Sequence, residues 1–177
     1  MKTLNTQAIR TLALASAAAA ALFSGTASHA ATATDNLAVS ATVSANCTIA
    51  TGALAFGAYD PISANASADL DATGTVTVTC TDGAAVAISL GQGANADTGS
   101  TDAAPLRRLT DGTDHLTYSL FSDSGRTTVW GNDATVDVET AGTGVAEEHT
   151  VYGRITAGQT DASAGSYSDT VVATVTF

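Results

Sequence analysis

The side chains able to do chemistry in this 177-residue chain are few and thinly spread. Serine, histidine and aspartate are all present, yet no G-x-S-x-G string occurs to seat a nucleophile, and no other nucleophile signature accompanies them. His115 opens the run Leu116, Tyr118, Leu120, and His149 precedes Val151-Tyr152, which are places for strand-edge polar residues. Asp69-Leu-Asp71 and Asp111-Gly-Thr-Asp114 could offer oxygens to Ca2+, but neither fits a calcium loop closed by Glu. Aspartate at such positions ordinarily serves its own turn. Glu147-Glu148 has the residue types of a glycosidase pair; adjacent residues of a strand point to opposite faces, so the two cannot flank one bond. Trp130, followed by Gly131, reads as a core plug at a strand end rather than a sugar platform. These residues point to no catalytic site, no metal and no cofactor.

Residues 1-30 read as an export signal. Lys2 and Arg10 precede the apolar stretch Thr11 to Phe23, which is too short to anchor in a bilayer, and Ser28-His29-Ala30 presents small residues for cleavage after Ala30. Cleavage after Ala27 is the second choice. The remaining chain has no lysine, so chemistry that needs that amine, as in Schiff bases and P-loops, is excluded. Four arginines against seventeen acids leave a net charge of −13, which rules out phosphate-backbone recognition and hence nucleic acid. No later segment is apolar and long enough to cross a bilayer, so the expectation is an exported product without stable membrane insertion. In that oxidising setting, the only two cysteines, Cys47 and Cys80, are expected to pair.

The elements that must hold these residues are strands. Leu37, Val39, Ala41 and Val43 alternate with small polar residues; so do Val76 and Val78 between threonines, then Leu116, Tyr118 and Leu120, and Val136 and Val138. At the end, Tyr167, Val171, Ala173, Val175 and Phe177 share one face. β-Branched residues fill both faces, and Gly/Asp/Asn/Ser clusters separate the runs, so the pattern predicts about eight strands in one antiparallel sandwich. No run keeps a helical period. Residues 91–105 form the longest polar loop and are expected to be flexible. The alternating row directly after the signal, together with a closing apolar strand that nothing follows, leaves one edge without a partner.

An ordered set of short strings then resembles the spore coat U domain family, which includes the archaic (Csu-type) chaperone–usher pilins. They are Cys47-Thr-Ile49, Leu54-Ala-Phe-Gly-Ala-Tyr-Asp60, Val78-Thr-Cys80 and Ile88-Ser-Leu90. Further along come Arg108-Leu109, the run Leu116 to Asp123, Val129-Trp-Gly-Asn132 and Val151-Tyr-Gly-Arg-Ile155. Gln159, Gly165-Ser-Tyr-Ser-Asp169 and Val175-Thr-Phe177 close the set.

That resemblance implies an all-β, immunoglobulin-like antiparallel sandwich, incomplete for want of its last strand and completed by a donor strand from a neighbouring subunit. It also implies a non-enzymatic rod subunit with three kinds of partner: copies of itself head to tail, a periplasmic chaperone and an outer-membrane usher. The product would be an extracellular fimbria on the cell surface for adhesion and biofilm formation; part of the family sits in spore or cyst coats instead. The organisation expected is 1-30 signal peptide, 31-43 donor segment and 44-177 pilin domain. Leu37, Val39, Ala41 and Val43 would be donated, and Tyr167, Val171, Ala173, Val175 and Phe177 would border the acceptor groove. Two other arrangements remain open on the residues alone: residues 31-36 as donor with the longer row as the domain's own first strand, or an ordinary edge strand in a complete sandwich. A monomeric secreted binding module is the alternative function, with Trp130 and the tyrosines at its site.

Overall fold

A computed structural model describes residues 29–177. The export-signal reading therefore falls, apart from His29 and Ala30, outside the described residues. Residues 29–46 form no strand, and the apolar row within them is solvent-facing: Leu37 is 88% exposed, Val39 85% and Val43 83%.

From Cys47 onward the chain folds into eight strands: β1 Cys47–Gly52, β2 Leu70–Cys80, β3 Ala85–Leu90, β4 Arg107–Thr110, β5 His115–Phe121, β6 Val138–Ala141, β7 Ala146–Ile155 and β8 Ala173–Thr176. Five of them form one sheet in the order β1-β2-β7-β5-β4, and three form a second in the order β6-β3-β8. Every pairing is antiparallel. β2 shows why the sequence chooses strand. Val76, Val78 and Cys80 turn inward and are buried, while Thr75, Thr77 and Thr79 face outward, so period-two alternation separates apolar from polar with no residue misplaced.

The core lies between the sheets. Val76, Val78, Leu116, Tyr118, Leu120, Val151 and Ile155 come from the larger sheet, and Val86, Ile88 and Leu90 from the smaller. Trp130 is 1% exposed and donates its indole N–H to Ile88 O at 2.8 Å, so it plugs the core as its position predicted.

Four local departures from simple alternation matter. Val136 lies in a turn, because Asp133 accepts the N–H and hydroxyl of Thr135, so the strand starts only at Val138. The last strand is shorter than the Tyr167 to Phe177 row, yet its backbone pairing runs beyond β8. Gly91 N–H donates to Val172 O, Ala94 N–H to Thr170 O, and Ser168 exchanges two hydrogen bonds with Thr110 of β4. Phe177 lies beyond the final pair, Ala87 with Thr176, and is 53% exposed. The 91–105 loop is tied down rather than loose: Arg108 donates to Asn95 O and Ala96 O and pairs with Asp97 at 3.0 Å.

Candidate functional site

The two sheets do not close on every side. Among the described residues, β8 ends the smaller sheet and bonds only to β3, and β1 ends the larger and bonds only to β2. These two edges approach each other, and beside them the core is open. One hollow of about 330 Å3 reaches down to Val76, Leu90, Leu120 and Val151, with Thr51 on one lip and Val171 and Ala173 on the other. A second, of about 950 Å3, is floored by Leu116 and Ile155 and walled by Tyr59 and Tyr167. Leu54, Phe56, Leu109 and Asp169 line both, so the two hollows form one groove. Its floor is the hydrophobic core itself.

Small residues shape the floor. Gly74 and Gly153 face inward from β2 and β7. A Cβ at Gly153 would come within 2.8 Å of both Leu54 and Phe56, and one at Gly74 within 2.8 Å of Leu54. Glycine at both places lets the chain after β1 lie against the sheet. Phe56 then meets the Tyr118 ring edge-on, with centroids 6.0 Å apart. Residues 53–59 make no backbone hydrogen bond among the described residues, and side-chain packing holds them. At the far end, Tyr59 accepts the Gln159 N–H and donates to Thr156 O, both at 2.9 Å.

A polar brace supports the opposite wall. Asp169 accepts the Tyr118 hydroxyl at 2.7 Å, together with the N–H groups of Ala94 and Asn95. Burial, reinforced by that carboxylate, pushes the Tyr118 phenol far above its ordinary pKa, so it remains a donor. Arg107 is 1% exposed and gives its guanidinium to Leu90 O, Gly91 O and Trp130 O. Burial pulls its pKa down to about 10, and it stays charged at neutral pH.

The structure joins Cys47 and Cys80 in a disulfide between directly paired residues of β1 and β2. Of the expected acceptor residues, Tyr167, Val171, Ala173 and Val175 pack against the core, and the first three line the groove; Phe177 stands outside it. His115 is exposed at the start of β5. His149 sits mid-strand in β7, opposite Val76 of β2, and its Nε2 is buried without a partner among the described residues. Asp69 and Asp71 are drawn to Arg154, whose pair with Asp71 is 2.7 Å, and Asp111 caps its own turn through the N–H groups of Thr113 and Asp114. Glu147 and Glu148 face opposite sides. Sequence reasoning missed the parts played by Leu54, Phe56, Arg107 and Asp169. Glycines inside β2 and β7 were the available signal for the first two.

The sequence matches the Spore Coat Protein U domain over residues 33–174. The chain belongs to the spore coat protein U domain family. A relative, "Protein U" of Myxococcus xanthus, is 43% identical over 178 residues, covering 96% of this chain and 99% of the relative. Among solved structures, this chain is similar to a chain in the crystal structure of the CsuC-CsuE chaperone-tip adhesion subunit pre-assembly complex from archaic chaperone-usher Csu pili of Acinetobacter baumannii. There the TM-score is 0.55 and the identity 20%; the match covers 77% of this chain and 40% of that one. At that identity the likeness carries the fold alone.

Proposed function

We propose that this chain is a non-enzymatic, pilin-like structural subunit that polymerises by donor-strand exchange. The observation that carries the reading is the groove: an apolar core left open beside an edge of β8 that is unpaired among the described residues, in a chain whose exposed apolar row has no strand partner there either. An extended segment laid along β8 would satisfy that edge with backbone hydrogen bonds and fill the groove with alternate side chains. Leu37, Val39, Ala41 and Val43 have the alternation required. Burying the three large ones contributes roughly 5–8 kcal/mol before ordering costs, comparable to the stability of a whole domain. Because each molecule donates to one neighbour and accepts from another, the contact is heterologous and does not close, which builds fibres.

Under this reading residues 1-30 direct export, 31-43 are donated and 44-177 accept. A periplasmic chaperone holds the open subunit, an outer-membrane usher assembles it, and the product stands outside the cell as a fimbria for adhesion and biofilm formation. The likeness to a chain from a chaperone–subunit complex of archaic pili supports these partners. The relative "Protein U" and the name of the matching domain favour a second place of use, a spore or cyst coat built from the same exchange.

The test is an unheated denaturing gel of the exported protein beside a variant lacking residues 31–43. The full chain should run as a ladder of multiples and the variant as a monomer, whose melting temperature rises when a synthetic peptide of residues 31–43 is added. A ladder from the truncated chain, or a peptide without effect on its melting, would sink the proposal.

A further inference from the structure

We infer that the Cys47–Cys80 disulfide is a mechanical clamp, set where pulling force enters the folded domain. The inference rests on the donor-strand reading for its biological setting, but its geometry stands by itself. Only Ser44, Ala45 and Asn46 separate Val43, the last residue of the apolar row, from Cys47, the first of β1. Asn46 is already fixed: its N–H donates to Thr81 Oγ1 at 3.0 Å, and its carbonyl accepts the Thr81 N–H at 3.0 Å. The free connection is therefore two residues, Ser44-Ala45. Whatever tension a donated segment carries arrives directly at the start of β1.

β1 is poorly suited to resist it alone. It is a six-residue strand at the edge of its sheet, paired on one side only among the described residues, with every residue after Cys47 exposed. Tension on its first residue would fall on the terminal Cys47–Cys80 pair and then on each following pair in turn, peeling the strand. The disulfide joins these two directly paired residues. Force arriving at Cys47 therefore crosses covalently to the end of β2, which is hydrogen-bonded on both sides, by β1 and by β7. The Thr81–Asn46 bonds give the same junction a second, non-covalent hold. Everything between the two cysteines, including β1 and the 53–59 wall of the groove, is thereby shielded from tension.

Single-molecule pulling on the full chain, held at its two ends, tests this whether or not fibres form. The intact disulfide should give no early event before the sheets rupture. After reduction of the already folded protein, or in the Cys47→Ser/Cys80→Ser variant, a new low-force step should release residues 47–69, ~80 Å of chain at about 3.5 Å per residue. Reduction in place keeps the test valid if the variant fails to fold. An unchanged rupture force with no early step after reduction would overturn the inference. Absence of ladders in the gel experiment would instead count against donor-strand exchange, so the two failures are separable.

Discussion

Arg107 places a charge inside a β-sandwich, where backbone carbonyls accept from its Nε and Nη2 while Nη1 has no partner among the described residues. Its guanidinium satisfies the carbonyls of Leu90, Gly91 and Trp130, where the end of β3 meets the strand-like segment carrying the tryptophan. Arg107→Met keeps the apolar stem but leaves those buried acceptors without their donor. A loss of about 2–4 kcal/mol is expected, read as a lowered midpoint in urea; a neutral result would mean water serves the carbonyls equally well. The surface carboxylates make a different prediction. The Asp71 pKa is lowered, chiefly by its hydrogen bond from Arg154, so the folded state favours the ionised form. Its contribution is present in full above the ordinary aspartate pKa and disappears as the pH falls through the lower, folded value. Asp71→Asn should therefore melt below the parent at pH 7, with the two curves converging in strong acid. A gap that widens on acidification would contradict the sign. Neither role could be read from the sequence: Arg107 looks like one of two adjacent surface cations, and nothing local to Asp71 announces Arg154, eighty-three residues away.

Among the elements, β2 and β5 were legible because their alternation meets a single requirement, one face in and one out. The stretch after β1 was not. Leu54-Ala-Phe56 alternates like a strand, but its backbone pairs with nothing among the described residues, and it is positioned by two glycines on strands distant in sequence. That arrangement yields a sharp expectation. Gly153→Val introduces atoms where Leu54 and Phe56 now lie, so the 53–59 segment must lift. The expected loss is about 1–3 kcal/mol by overpacking, with a larger relative loss in the melting shift produced by the residue 31–43 peptide. If the peptide still stabilises the variant to the same extent, the segment is not part of the acceptor site.

For the molecule as a whole, stability and assembly become one quantity. A partner strand that binds only the folded domain raises its stability by an amount that grows with the logarithm of strand concentration, about 2.7 kcal/mol at a hundred times Kd. The melting temperature of the truncated subunit should thus climb steadily with peptide, whereas the full-length fibre, where the strand is tethered, should melt higher and without dependence on added peptide. Sequence alone determined the β class, the strand periodicity and the pairing of the two cysteines, because these follow from local alternation and from how many thiols exist. It also marked an apolar row lacking an evident partner. Tertiary structure alone decided that the core opens between β1 and β8, that Arg107 and Asp169 brace its wall, and that the disulfide sits at the mouth of β1. Those features depend on which edges of two sheets come to lie side by side, and the side chains concerned are joined through space over separations that no local pattern encodes.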